Sequence, residues 1–331
     1  MFGFARITSA TVQTRVIFLC GLLGALCFGD SSFAQDKVRI GYIGLSLSSL
    51  PLLAARELGF FSRNGIQEEV VLLTSQLSAV ALNGGELQYV AGVGPGSVSA
   101  TLAGSPSRAV WIVANRMIYD VIAQSELKTL QDLRGKRIGV SGLGATTHTA
   151  FTMAVEKTGA SPKDFVVVAL GPQQHQRAME SKSVDAMIVD PPVSLILLRK
   201  GFNKVLDIGA AVEMPVGGLT TLTKTLDGKP DQVRRVIKAL QQAKESLIGS
   251  KERSVRFIVK TMHMEPAIAV KTFELMAFAW AGSGVPTRSG MENIVKGIQS
   301  QGRFVDRKVA FEEIAEPRFA LQVARELGHK E

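Results

Sequence analysis

Hydrophobic residues in the first third of this chain form short runs separated by polar and small-residue segments. Runs of this length are typical of buried β-strands. They occupy residues 38–42, 69–73, 88–91, 109–114 and 119–123. Helices are predicted between them, for example from Pro51 to Leu58, where Gly59 is a natural stop. Strands that alternate with helices predict an α/β fold class built on parallel sheet.

A second set of strands and helices follows the polar segment 124–136, which we interpret as a crossing between two units. Its first part, residues 135–149, predicts a short buried strand, a turn rich in glycine and hydroxyl side chains, and the start of a helix that continues to Lys157. Further strands are predicted at residues 165–169, 186–189 and 205–208. After Pro215 the chain is expected to return to the first unit, and from Pro230 onward apolar residues recur at helical spacing.

The N-terminal segment 1–34 predicts a secretory signal peptide. Arg6 and Arg15 provide positive charge, an apolar run spans residues 16–28, and small residues precede a cleavage site after Ala34. The apolar run is short for a membrane-spanning helix, which needs about 20 residues. We therefore expect export to the periplasm, with a retained membrane anchor as the alternative interpretation.

Composition narrows the chemistry of the exported chain. Both cysteines, Cys20 and Cys27, lie in the predicted signal peptide, so the mature chain is expected to hold no disulfide and no thiolate metal site. The full chain has 38 basic and 29 acidic residues, and removal of residues 1–34 leaves 36 against 28, a net charge of +8. That sign suits an acidic ligand or an anionic surface. The charges are scattered, however, and form no basic block with interleaved aromatic residues, so no nucleic-acid partner is predicted.

Motifs of common enzymes are missing from the sequence. It contains no Gly-x-Ser-x-Gly elbow and no Walker run, and its four histidines are isolated from one another, without zinc-binding spacing. The segment from Gly142 to Thr147 partly matches the dinucleotide fingerprint Gly-x-Gly-x-x-Gly, but Thr147 stands where the third glycine is needed. We therefore predict no catalytic residue, no metal ligand and no cofactor.

Serine, threonine and glycine residues cluster where the predicted strands end. In open α/β sheets, ligands bind beyond the carboxyl ends of the strands, and the start of a helix offers free backbone N–H groups to an anionic or carbonyl group. The candidate ligand-binding residues are Ser46, Ser48, Ser49, Gln76, Gly94 and Ser97 in the first unit, and Thr146, Thr147 and Asp190 in the second. The polar residues among them have a structural alternative, because such side chains also cap helices and stabilise turns.

The order and spacing of several segments resemble those of periplasmic solute-binding proteins of the aliphatic-sulfonate, nitrate and taurine type, a family that also includes thiamine-pyrimidine-synthase-like members. These segments are residues 40–42 with the loop 43–49 (the serine loop), 51–61, 65–66, 132–140, and 184–186 ahead of Asp190-Pro191-Pro192. The resemblance covers most of the mature chain. The family branch that makes a thiamine pyrimidine uses a cysteine-rich motif, which the mature chain lacks, so that activity is not implied.

The resemblance implies a type II periplasmic-binding fold, in which two α/β lobes joined by a hinge of two crossings hold a ligand between them and the C-terminal part is helical. Lobe one is expected to combine residues 36–124 and 216–331, and lobe two to comprise residues 125–215. The resemblance places ligand contacts at Ser46, Ser48, Gln76, Gly94, Ser97, Thr146, Thr147 and Asp190. It also implies a monomer that binds a small molecule and meets an ABC permease in the inner membrane.

These expectations converge on the solute-binding component of an ABC-type importer. Its ligand is expected to be a small anionic or zwitterionic molecule, either sulfonate-, nitrate- or taurine-like or pyrimidine-like, captured by closure of the hinge. One alternative is an enzyme acting on a thiamine-pyrimidine precursor, which the missing cysteines, metal motif and nucleophile elbow disfavour. The other is a sensor partner that presents its ligand to a membrane receptor. Import and sensing need the same closure, so the sequence does not separate them.

Overall fold

A computed structural model of the chain describes residues 35–329 together with residues 1 and 3. The side chains of Ser75 and Gln76 lie outside this description, although their backbone is included. Most of the predicted signal peptide, with both cysteines and the expected cleavage site after Ala34, also lies outside the described residues.

The first sheet is built from strands near the start of the described chain and one strand that returns to it much later. Its strands are β1 (Asp36–Tyr42), β2 (Ile66–Leu72), β3 (Tyr89–Ala91), β4 (Ser107–Ala114) and β10 (Val216–Leu222). They lie in the order β2-β1-β3-β10-β4. Strand β1 pairs in parallel with β2 and β3, whereas β10 pairs antiparallel with β3 and β4. The predicted return of the chain to the first unit is confirmed.

The second sheet is formed by the middle of the chain. Its strands are β5 (Asp120–Ala123), β6 (Arg137–Val140), β7 (Val166–Ala169), β8 (Ala186–Val189) and β9 (Asn203–Asp207). They lie in the order β7-β6-β8-β5-β9. Strand β6 is parallel to β7 and β8, and β5 is antiparallel to β8 and β9.

The position of β5 corrects the expected boundary between the units. From the sequence, residues up to 124 are expected in lobe one, with the crossing at 124–136. In the structure Asp120 pairs with both Val189 and Asp207, so β5 lies inside the second sheet and the chain crosses at residues 115–119. The apolar run identifies the strand, but its partners are strands far along the chain, and the run itself does not encode them.

Helices cover both sheets. In the described residues they are α1 (Leu50–Glu57), α2 (Phe60–Arg63), α3 (Ser75–Gly84), α4 (Pro95–Leu102), α5 (Thr146–Lys157), α6 (His175–Glu180), α7 (Val193–Arg199), α8 (Ile208–Ala211), α9 (Thr223–Gly228), α10 (Pro230–Ile248), α11 (Lys251–Met262), α12 (Pro266–Ala279), α13 (Arg288–Ser300), α14 (Phe311–Ile314) and α15 (Arg318–Glu326). None of these helices has the length and apolar character that crossing a membrane requires.

The core on the outer side of the first sheet rests on helix α10. Pro230 occupies the first position of this helix, and Val233, Val236 and Leu240 recur on one face and are buried. The helix packs against α1 and α15, and its apolar face joins the same cluster as Trp111 of β4. Trp111 is 2% exposed, so its side chain belongs to this core.

Helix α13 packs against helices from both sheets. Its residues Met291 and Ile294 share one apolar cluster with Val98 of α4 and Phe151 of α5. Gly297 of α13 allows a close approach, because a Cβ atom there would lie 2.4 Å from Cγ2 of Thr149 on α5. The starts of α4 and α5 are therefore held near each other by packing of apolar side chains.

One charged side chain is buried in this core. Lys244 of α10 is 1% exposed. Its Nζ donates hydrogen bonds to the carbonyl oxygens of Gly282 (3.0 Å) and Val113 (3.3 Å), and it forms no ion pair with a carboxylate among the described residues. Burial lowers the pKa of Lys244 to about 8.

The free energy of unfolding is expected to rise with pH between about 8 and 10.5 because of Lys244. In that range the unfolded chain binds the lysine proton and the folded chain does not, and the difference amounts to at most roughly 3 kcal/mol. Urea unfolding of the Lys244→Met variant at several pH values should lack this contribution. The Lys271→Met variant, at an exposed position, serves as control. Its free energy of unfolding should change with pH as that of the wild type does. Equal slopes in all three proteins would contradict the prediction.

Candidate functional site

A cavity of about 370 Å³ lies among the loops that follow strands of both sheets. This volume falls at the lower end of the roughly 300–1,000 Å³ typical of small-molecule sites. From the first sheet it is lined by residues 43–46, 48 and 49 after β1, by residues 78, 79 and 82 of α3, by residues 90–94, 96, 97 and 100 around the start of α4, and by residues 105, 107, 216, 217 and 220. From the second sheet it is lined by Tyr119, Ser141, Ala145, Thr146, Pro172 and Gln173. Both units therefore contribute to one site.

The serine loop after β1 contains one structural serine and two serines that keep free hydrogen-bonding capacity. The backbone N–H of Ser46 donates to Oγ of Ser49 (3.1 Å), and that hydroxyl donates to the carbonyl oxygen of Ser46 (2.8 Å). Ser49 thus closes the turn. The hydroxyls of Ser46 and Ser48 lie 3.0 Å apart and share a single hydrogen bond, which leaves each able to form another with a ligand.

The turn before α4 brings the first sheet close to the second. The N–H of Gly94 donates to Oγ of Ser97 (3.1 Å), and this hydroxyl donates to the carbonyl oxygen of Gly94 (3.0 Å). Ser97 therefore caps α4, which is the structural role given above as the alternative to ligand contact. A Cβ atom at position 94 would lie 2.9 Å from Oγ1 of Thr146 on the opposite side of the cavity. Glycine at this position permits the close approach.

The stretch 135–149 folds as the sequence predicts, into β6, a turn and the start of α5. Oγ1 of Thr147 accepts a hydrogen bond from the N–H of Ser141 (2.9 Å) and lies 2.7 Å from the Ser141 hydroxyl. The N–H of Gly144 donates to Nδ1 of His148 (3.0 Å). Burial lowers the pKa of His148, which favours the neutral ring that accepts this bond. Thr147 is buried and is not part of the cavity lining, and it stabilises the turn.

The neighbouring Thr146 differs in its contacts. It lines the cavity, and its hydroxyl forms no hydrogen bond with the other residues that the structure describes. The residue before it, Ala145, is the N-cap of α5 and supplies no capping side chain. The first N–H groups of α5 and the Thr146 hydroxyl are therefore available to a ligand.

Substitution of the two threonines should separate their roles. Thr147→Val is expected to lower the free energy of unfolding by about 1–2 kcal/mol, because it removes the buried acceptor of the Ser141 N–H. Thr146→Val should leave stability nearly unchanged, since its hydroxyl has no partner among the described residues. Urea unfolding of the two variants checks this. The reverse order of stabilities would assign the structural role to Thr146.

Ser78 of α3 is a cavity residue that the sequence analysis missed. Ser78 lines the cavity but is only 2% exposed. Its Oγ is buried and has no hydrogen-bond partner among the described residues. A buried hydroxyl without a partner is unfavourable. The sequence signal was a small polar residue one turn after Thr74, which caps α3 by accepting from the N–H of Leu77. The predicted contact of Gln76 stays a prediction, because its side chain lies outside the described residues.

Asp190 lies next to a cavity residue and not in the lining itself. It follows β8 and stands beside Tyr119, since Val189 pairs with Asp120 in antiparallel register. Burial raises the pKa of Asp190 to about 7. Burial, and to a smaller extent the charge of Asp190, raises the pKa of Tyr119 well above its usual range. The phenol of Tyr119, another residue that the sequence analysis did not select, is therefore neutral and lines the cavity.

The lining carries no formal charge. No Lys, Arg, His, Asp or Glu is among the lining residues in the described part of the chain. Nor do residues 35–329 contain a group of three or more His, Cys, Asp or Glu that could hold a metal ion. The lining contains serine and threonine hydroxyls, one phenol, one amide side chain and apolar surface. Such a site is suited to hydrogen bonding and apolar contact with a small molecule.

Comparison with known proteins agrees with this arrangement. A family model described as NMT1/THI5 like matches residues 47–253 of the chain. A protein of Brucella abortus (strain 2308) that is named as a binding protein is 25% identical to this chain over 258 residues. The match covers 73% of this chain and 77% of that protein.

Solved structures show the same fold at low sequence identity. A ligand-binding component of an ABC-type import system from Staphylococcus aureus, solved with zinc bound, gives a TM-score of 0.74 at 15% identity and covers 88% of this chain and 100% of its own. The periplasmic aliphatic sulphonate-binding protein SsuA from Escherichia coli gives 0.70 at 17% identity, covering 87% of this chain and 99% of its own. The predicted fold class, a periplasmic-binding fold with two α/β sheets, is confirmed.

Proposed function

Because this chain belongs to the NMT1/THI5-like family, we propose that it is the extracytoplasmic ligand-binding component of an ABC-type importer. It takes up one small organic molecule in the cavity between its two sheets and performs no reaction on it. The observation that carries this proposal is the cavity of about 370 Å³, which is lined by loops from both sheets and by residues whose hydroxyls have no hydrogen-bond partner in the described part of the chain. The names of the Brucella and Staphylococcus relatives are consistent with it.

The proposed mechanism is closure of two lobes on the ligand. Lobe one comprises residues 36–114 and 216–329, lobe two comprises residues 120–211, and the chain crosses between them at 115–119 and 212–215. A ligand that contacts both lobes binds the closed arrangement more strongly than the open one and so shifts the population towards it. The permease then recognises the closed protein.

Location and partners follow from this function. Residues 1–34 act as a signal peptide that directs the chain to the periplasm, where the protein is a monomer and delivers its ligand to a permease in the inner membrane. The ligand class expected from the sequence was a small anion or zwitterion, and SsuA is named for aliphatic sulphonates. The uncharged lining gives such an anion no cationic partner.

A thermal-shift screen tests the proposed function. The purified mature protein is heated with a library of amides, heterocycles, carboxylates, sulfonates, nitrate and taurine. A true ligand at about 100 times its Kd stabilises the folded state by about 2.7 kcal/mol, which raises the Tm by several degrees. At least one compound should give a saturable shift and a matching Kd in calorimetry. If no compound of the library raised the Tm at millimolar concentration, the result would contradict a binding function.

A further inference from the structure

The polar groups left without partners around the cavity are all neutral. Oγ of Ser78 is buried and unpaired among the described residues. The hydroxyls of Thr146 and Tyr119 also form no hydrogen bond within residues 35–329, and both residues line the cavity. These three groups come from α3, from α5 and from the segment before β5. A ligand that satisfies them needs hydrogen-bonding atoms and no charge.

Cations lie outside the lining. The guanidinium of Arg303 is near the turn before α5, where its Nη1 would be 3.4 Å from a Cβ atom placed at Gly144. Arg303 is exposed and does not line the cavity. An anionic ligand would lose its hydration on entering the cavity and gain no charged partner from the lining, which is unfavourable.

The carboxyl group of Asp190 further disfavours an anion. It stands beside Tyr119, and no described side chain donates a hydrogen bond to it. When ionised, it would repel a negative charge placed against Tyr119. The side of the cavity formed by the second sheet therefore favours a neutral group.

Apolar side chains at the cavity favour a ligand with an apolar body. Ile43 and Leu45 line the cavity and are each 46% exposed. Contact with an apolar ligand would remove part of this surface from water, at about 25 cal/mol for each Å² buried.

The start of α5 suits a hydrogen-bond acceptor of the ligand. Its first N–H groups have no capping side chain, and the helix dipole places partial positive charge at this end. An oxygen acceptor suits this position, and a carbonyl oxygen supplies one without bringing a formal charge into the cavity.

We propose, as a refinement that rests on the proposed function, that the ligand is an uncharged molecule with an apolar body and a carbonyl oxygen. Its carbonyl oxygen faces the start of α5, and a donor or acceptor elsewhere on it pairs with Ser78. This differs from the anionic or zwitterionic class that is expected from the sequence.

Matched probes that differ only in charge test this inference. The series is benzamide, benzoate and benzenesulfonate, with the naphthalene and isobutyl analogues of each, measured by thermal shift and calorimetry. The amide is expected to bind at least about tenfold more tightly than either anion of the same body. Tighter binding of an anion, or no shift with any amide while another library compound binds, would overturn the inference and leave the binding function intact. No shift with the series or the library would overturn both.

Two single variants sharpen this test. Ser78→Ala is expected to weaken binding of the best amide about fivefold to tenfold. It should not lower stability, because it removes an unpaired buried hydroxyl and places a strong helix former in α3. Arg303→Gln should change the Kd by less than about twofold. A tenfold loss of affinity in Arg303→Gln would show that the site recognises charge and would overturn the inference.

Discussion

Replacement of Gly96 by phenylalanine is expected to weaken ligand binding by about 100-fold, or roughly 2.7 kcal/mol, without loss of stability. Gly96 lies in the first turn of α4, lines the cavity, and has no heavy atom within 4 Å of the position where a Cβ would stand. Long side chains in a helix point back towards its N-terminus, which here is the turn at Gly94 facing Thr146. The ring would therefore occupy the space between the two sheets.

Gly84 provides a matched control for this prediction. It lies near the end of α3, its Cβ position is equally open, and it is not a lining residue. Calorimetry with the best compound of the screen should give Gly84→Phe the wild-type Kd within about twofold. If Gly96→Phe bound as tightly as Gly84→Phe, the ligand would have to bind elsewhere.

Replacement of Gly218 by alanine is expected to lower the free energy of unfolding by at least about 3 kcal/mol. Gly218 has a φ of +146°, in a region that side-chain-bearing residues rarely adopt. A Cβ atom there would lie 2.1 Å from the carbonyl oxygen of Trp111 and 3.1 Å from the Cα atom of Ile112. Both are backbone atoms of β4, so strands β10 and β4 would have to separate where they pair.

Gly228 is the control for the stability measurement. It ends α9, is exposed, and has open space at its Cβ position. Gly228→Ala should be neutral or should stabilise by up to about 1 kcal/mol, because alanine restricts the unfolded chain. Urea unfolding followed by circular dichroism compares the two variants. A Gly218→Ala protein within 1 kcal/mol of wild type would contradict the close packing of β10 on β4.

The spacing of hydrophobic residues in this chain predicts individual strands and helices well, but it predicts poorly which strands pair in a sheet. It identifies the strands around 109–114 and 186–189 and the long helix from Pro230, because burial on one face imposes a period that can be read directly. It does not show that β5 belongs to the second sheet. That assignment depends on contacts with β8 and β9, which follow tens of residues later.

The candidate site was predicted at the level of loops and less well at the level of side chains. The loops after β1, β3 and β6 do line one cavity. Within them, a hydroxyl that caps a helix, one that closes a turn and one that keeps no partner look alike in sequence, so the pattern does not separate Ser97 and Thr147 from Thr146. Ser78 was missed because its unpaired state is a property of the packed interior.

Net charge also proved a weak guide to the cavity. The value of +8 for the chain without residues 1–34 arises from side chains distributed over the whole molecule, whereas the cavity lining holds none of them. A long-range field affects how fast charged molecules approach a protein. It does not determine which groups a ligand meets inside the cavity.

The most direct test of this account is a crystal structure of the protein with the compound that stabilises it most. We expect that compound in the cavity, with one polar atom within hydrogen-bond distance of Ser78 Oγ and a carbonyl oxygen at the first N–H groups of α5. It would then contact both sheets at once. A compound bound outside the cavity, or held by residues of one sheet alone, would contradict the claim that ligand capture joins the two lobes.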